Sequence, residues 1–154
     1  MPVVLYGSQT WSTRKQDLKR LLTFERKVIR KIFEPVRDQT TGEWRRRHNT
    51  ELEELYKEPN ILGVMRSKIL QWAGHVRMEA TGWPKITMDW IPSGSRPVGR
   101  PRKRWINGMR EDLLQLGVME NWRQIAEDRD GWRALTVVAR GRLGLIARIE
   151  LNPI

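Results

Sequence analysis

Apolar residues recur at helical spacing over much of this chain. Between Arg14 and Phe33, Leu18, Leu21, Leu22, Val28, Ile29, Ile32 and Phe33 fall on one arc at about 100° per residue, and Lys19, Arg20, Arg26, Lys27, Arg30 and Lys31 fall on the opposite side. This predicts an amphipathic helix with Ser12 or Thr13 as its N-cap. Glu25 points into the apolar arc. A carboxylate there needs a partner, and an Arg from another element is expected to supply it. A short helix is expected from Glu51 to about Lys57, capped by Thr50 with Glu53 at the third helical position. Beyond Pro59, a long helix from about Asn60 to Glu79 lines one face with Ile61, Leu62, Met65, Ile69, Trp72, Ala73 and Val76. Gly63, Ser67 and Gly74 lie on another side, where a second element can approach closely.

The remaining pattern is less regular. Pro2–Tyr6 is a β-prone run, Pro35–Trp44 reads as a loop, and Ile86–Ile91 (ITMDWI) reads as one short strand. Trp105 to Leu116 reads as a helix ended by Gly117, and Asn121 caps another helix, kinked near Gly131. After Ala139 the amphipathic order fades and a disordered tail, 140–154, is expected. The fold class that follows is mainly α: a small bundle of about five helices, an extended basic Pro/Gly linker and at most a short strand pair. The helical parts are 1–80 and 105–139, joined by a linker over 81–104.

Composition changes the picture through charge. The 154 residues include 29 Lys and Arg against 18 Asp and Glu, a net charge of +11. Such an excess is usual for chains that meet nucleic acid or an anionic surface. No apolar run is long enough to span a bilayer, and no signal peptide is evident. Without cysteine, disulfide frameworks and thiolate zinc sites are excluded. The chain is therefore expected to be intracellular, nuclear or cytoplasmic, and not secreted or membrane-bound.

The densest charge lies in Gly94–Trp105 (GSRPVGRPRKRW), where Arg96, Arg100, Arg102, Lys103 and Arg104 are interrupted by no acid and stiffened by Pro97 and Pro101. These charges cannot be buried unpaired; they can lie along a phosphate backbone and release counterions. Gly99–Arg100–Pro101 also has the form of an AT-hook centre, which would enter a narrow minor groove. Second choices are Arg45, Arg46 and Arg47, and the helix face of Lys19, Arg20, Lys27 and Lys31. Trp44 and Trp105 either stack bases or anchor their loops on the core.

Catalytic patterns are missing. His48 and His75 stand far apart and outside any His-x-x-x-His spacing, and no Gly-rich phosphate loop or Gly-x-Ser-x-Gly elbow occurs. Glu127, Asp128 and Asp130 form a close carboxylate cluster. Ion pairing with Arg123, Arg129 and Arg133 accounts for them more simply than a metal does, and Asp112 with Arg110 or Arg129 extends such a network. No catalytic residue, metal site, cofactor or small-molecule substrate is expected.

Several phrases resemble a known family. Leu5–Trp11 (LYGSQTW), Phe24–Val36 (FERKVIRKIFEPV), Gly42–Arg47 (GEWRRR), Glu51–Pro59 (ELEELYKEP), Leu70–Val76 (LQWAGHV), Arg96–Trp105 (RPVGRPRKRW) and Asp128–Arg133 (DRDGWR) are similar, in order and spacing, to the region after the polymerase core in LINE-type, non-LTR retrotransposon reverse transcriptases. The resemblance runs from about Val3 to Ala139. It implies that residues 1–80 are thumb-like and that the region touches template–primer or target site. The family's RNA-directed DNA polymerase needs a paired-aspartate turn for Mg²⁺, and this chain has no adjacent aspartates. The endonuclease module is also missing, and Gln9 stands where the family often has Glu. The resemblance thus implies a nucleic-acid-binding fragment that is not an enzyme alone, with Mg²⁺ expected only for the missing core. The alternatives are a decayed fragment without activity and a domesticated AT-hook-like adaptor. Partners are DNA or RNA, held through phosphates.

Overall fold

The computed structural model describes residues 3–78, 82–90, 93, 94, 99, 103–118 and 121–151. Among them are seven α-helices, α1 (Lys15–Phe33), α2 (Asn49–Tyr56), α3 (Ile61–Met78), α4 (Trp83–Asp89), α5 (Trp105–Gln115), α6 (Trp122–Ile125) and α7 (Arg129–Leu151). A short antiparallel pair, β1 (Val36–Arg37) and β2 (Trp44–Arg45), matches Val36 with Arg45 and Arg37 with Trp44. The fold is mainly helical, as its hydrophobic periodicity predicts, with two helices more than the expected five.

The centre is α3, packed antiparallel on α7. The small residues of α3 face that partner. A Cβ at Gly63 would overlap the Arg140 carbonyl, and one at Gly74 would overlap the Trp132 indole. Between them the Ser67 hydroxyl donates to the Thr136 carbonyl at 2.9 Å. Trp132 crosses the groove that Gly74 opens, and its indole N–H donates to the Leu70 carbonyl at 2.9 Å. A single core joins Leu18 and Leu22 of α1 and Leu62, Met65 and Leu70 of α3 to Met109 and Leu113 of α5, Trp122 of α6, and Ala139 and Leu143 of α7. The expected helical parts therefore share one core.

The N-terminus of α3 carries two acceptors. Asn60 takes the Gly63 N–H at 3.0 Å and donates to the Gly144 carbonyl at 2.8 Å. Glu25, 3 % exposed, takes the Ile61 N–H at 2.7 Å. The carboxylate expected to find an arginine is therefore bonded to a helix N-terminus, where orphan donors and the macrodipole both favour an anion. Arg148 of α7 contributes at longer range. Burial still outweighs these interactions and pushes the Glu25 carboxyl up to about 6. Burial likewise raises Asp112 to about 6, against the pull of Arg66, whose Nε lies 3.4 Å away.

These shifts fix a sign. A carboxyl whose folded pKa is raised contributes stability below its unfolded pKa and loses it as pH climbs through the folded value. Glu25 and Asp112 should make the chain less stable as pH rises from about 4 to about 6. Glu51, held near 2 by Arg45 and the His48 N–H, acts oppositely, and its contribution disappears as pH falls from 4.5 towards 2. Glu25→Gln keeps an acceptor for Ile61 and should remove its share of the decline, of order 2 kcal/mol. Urea titrations between pH 4 and 7 check this; an unchanged pH slope in the variant contradicts it.

Several local expectations are corrected. Arg14, and neither Ser12 nor Thr13, caps α1, with the Asp17 carboxylate accepting its N–H; Ser12 donates instead to the Lys103 carbonyl at 2.8 Å. His48 replaces Thr50 as the cap of α2, because Glu51 takes the His48 N–H at 2.6 Å while gripped by Arg45. The segment expected as a loop, 35–44, is instead most of a hairpin that ends at Arg45, turned by the Asp38 carboxylate accepting from the Thr40 and Thr41 N–H groups and by Gly42 at φ +72°. Residues 3–7 form turns and no strand, burying Leu5 while Val3 and Tyr6 stay exposed.

The strand expected at Ile86–Ile91 is instead helix α4 over most of its length, and it lies inside the segment expected to be linker. The break near Gly131 falls earlier, between α6 and α7, where the Asp128 carboxylate accepts the Asp130 N–H at 3.2 Å. The expected ion pairs of that acidic cluster are replaced by this cap and by Arg123 reaching Asp89. Asp112 pairs with Arg66, and with neither Arg110 nor Arg129. The tail is not disordered through 140–151: α7 continues to Leu151, burying Leu143, Gly144, Ala147 and Leu151.

Candidate nucleic-acid interface

The arginines and lysines divide into those engaged within the fold and those left in solvent. Arg47 is engaged: its Nε donates to the Phe33 and Glu34 carbonyls at 3.2 and 3.0 Å, closing the C-terminus of α1. Arg45 forms a two-pronged pair with Glu51 at 2.6 and 3.0 Å and approaches Asp38 at 3.5 Å. Arg46 alone of that cluster is exposed without a side-chain partner among the described residues. Lys103 is paired with Glu111 at 2.6 Å. Arg96, Arg100 and Arg102 lie outside the described residues, as does the Gly-Arg-Pro centre apart from Gly99.

The α1 face is different. Leu18, Leu22, Glu25 and Ile29 are buried; Arg20, Lys27 and Lys31 on the opposite side and Lys19 on the flank are all exposed. None of the four has an ionic partner among the described residues. From Lys19 to Lys31 the row covers about 18 Å at the rise of an α-helix. Arg30, expected on this face, turns instead to the Asn49 side chain at 2.6 Å, and Arg26 is half-buried.

A second feature involves α4 and α5. An open cleft of about 1030 Å³ runs between α4 and the start of α5, with Trp72, Trp83, Trp90 and Trp105 in its walls and Arg104, Arg110 and Arg123 beside them. Trp105 is fixed: its indole N–H donates to the Gln9 carbonyl at 2.8 Å, and it meets Trp72 edge to face at 5.2 Å. Trp105 is thus both a loop anchor and part of an aromatic wall. Asp89 holds α4 in place by accepting from Arg77 of α3 at 3.0 Å and from Arg123 at 3.1 Å. Arg123 also lies 5.1 Å from the Trp122 ring centroid. Arg104 and Arg110 are exposed and have no ionic partner among the described residues. Trp44, the other aromatic singled out from sequence, is 71 % exposed on β2 and apart from this cleft.

Sequence reasoning missed Trp83 and Trp90, because it read their segment as linker and strand, and it did not bring Arg110 and Arg123 to them from the helices on which it placed those arginines. A signal was present: Pro84 in the first turn of a helix, where a missing N–H costs nothing, and Trp83, Thr87 and Trp90 at i, i+4 and i+7.

A smaller cavity of about 310 Å³ between α1, α3 and α5 includes Arg66, Asp112, Lys103 and Glu111 in its walls, and these charges pair with one another. Among the described residues no three His, Asp or Glu side chains are grouped as metal ligands, and no helix is long and apolar enough to cross a membrane. No family model, curated protein or solved structure matches the chain.

Proposed function

We propose that this chain binds nucleic acid through its phosphates, largely independently of sequence, and that it does so as a non-catalytic piece resembling the C-terminal region of a non-LTR retrotransposon reverse transcriptase. The observation that carries this reading is the α1 row. Lys19, Arg20, Lys27 and Lys31 stand exposed and unpaired along one side of a helix whose other side is in the core. A chain of net charge +11 that leaves its cations in such a row presents a linear cationic surface, and a polyanion matches it by releasing counterions. In the sequence, Arg46 and the run Arg96–Arg104 supply further positive charge. The phrases shared with the retrotransposon enzymes support the same partner. The absence of adjacent aspartates in the sequence supports binding without polymerisation.

Fluorescence anisotropy with a labelled duplex, a single strand and an RNA hairpin tests this. All three should bind at about 50 mM salt, with affinities that fall steeply as salt rises. Failure to bind any of them at that salt contradicts the proposal.

A further inference from the structure

We propose that the tryptophan cleft receives unpaired nucleotides of a single strand, their bases stacked on Trp83 and Trp90 and their phosphates met by Arg104 and Arg110. This rests on the nucleic-acid reading above and assigns it a second, chemically different site. Trp83 and Trp90 are 81 % and 65 % exposed. Indoles that could be buried are instead displayed together, which marks a contact surface. They bracket α4 seven residues apart, so both project from one side of it, about 10 Å from each other along the axis. The rest of the cleft is held firm. Trp105 is hydrogen-bonded to the Gln9 backbone and braced edge-on by Trp72, and α4 is pinned through Asp89 to two other helices.

The charge around the cleft selects the occupant. Three arginines and one aspartate line it. Asp89 already accepts from Arg77 and Arg123, so the cationic ends of Arg104 and Arg110 remain for an anionic ligand. At about 1030 Å³ and open to solvent, the cleft is at the top of the range for enclosed small-molecule pockets and suits a strand passing through. Aromatic faces flanked by arginines are the means by which proteins hold single strands without reading sequence, since every base has a π-face. Inside a duplex those faces are covered by neighbouring pairs, so the cleft discriminates between paired and unpaired strands where the α1 row does not.

The test compares the native chain with a Trp83→Ala/Trp90→Ala variant. Both indoles are mostly exposed, so the fold should survive, and circular dichroism checks that it does. Four probes are used: oligothymidylate, oligouridylate, an abasic strand and a duplex, each about twelve nucleotides long, within the span of one such groove. The variant should bind the base-bearing strands at least about tenfold more weakly and the abasic strand and the duplex as the native chain does. The native chain should itself bind the abasic strand more weakly than oligothymidylate. The relative weakening on oligothymidylate and oligouridylate shows whether DNA or RNA is the better occupant. If the variant holds oligothymidylate and oligouridylate as tightly as the native chain, the stacking site is overturned while binding through α1 stands. If the native chain binds neither strand nor duplex, the nucleic-acid reading fails and this inference fails with it.

Discussion

Gly63→Ala should destabilise the chain by about 2–3 kcal/mol, the cost of forcing extra volume into a closely packed interface. The added methyl would overlap the Arg140 carbonyl and press on the Gly144 Cα at 3.1 Å. Both are backbone atoms of α7 and cannot rotate away, so the helices must separate or slide. Separation would disturb the neighbouring bonds, from Ser67 to Thr136 and from Asn60 to Gly144. Gly141→Ala is the internal control. It lies on the exposed side of α7 with nothing within 4 Å of an added Cβ. Relief of glycine's backbone entropy should there stabilise by roughly 0.5–1 kcal/mol. Urea unfolding of both variants reads the difference, and equal stabilities would mean that α3 and α7 are not in this register.

Replacing Lys19, Arg20, Lys27 and Lys31 together by Gln should lower affinity for a duplex by at least about a hundredfold at about 50 mM salt. Stability should change little, because the four side chains are exposed and make no ion pair among the described residues. Arg47→Ala should behave in the opposite way. Its guanidinium serves the Phe33 and Glu34 carbonyls, so its removal should cost about 1–3 kcal/mol of stability, the penalty of leaving helix-end acceptors unmet. Its effect on affinity should be small once folding is corrected for. Anisotropy and thermal melts of the two variants separate these roles, which the cluster Arg45–Arg46–Arg47 conceals when read as sequence.

The two sides of α1 were legible in the sequence because a strong 3.6-residue period places buried leucines and exposed lysines unambiguously. The approach along Gly63, Ser67 and Gly74 was legible too, since small residues at helical spacing leave a groove; the sequence does not reveal that Trp132 and Gly144 are the residues that come near. The continuation of α7 was hidden for a physical reason. Its buried side includes Ala139, Gly144 and Ala147, which give little hydrophobic signal, while Val137, Val138, Leu145 and Ile149 are exposed. The contrast between faces is therefore weak although the packing is tight. Glu25 is legible as an anomaly in the apolar arc, but its principal partner is the Ile61 backbone N–H, which residue type does not encode. The cleft escaped for a similar reason: it joins α3, α4 and α5, and the Pro84 and Trp83–Thr87–Trp90 signal marks a helix at α4 without showing which elements face it.

The salt dependence of duplex binding decides whether α1 grips a phosphate backbone. With log affinity plotted against log salt concentration, the slope falls by about 0.9 for each phosphate the protein no longer neutralises. The native chain should show a slope of at least about 4 in magnitude, and the four-site α1 variant should be shallower by about 3.6. A native slope near zero, or a steep slope unchanged by the variant, would contradict the account: the first would mean that the charge grips no phosphate backbone, the second that α1 is not where it does so.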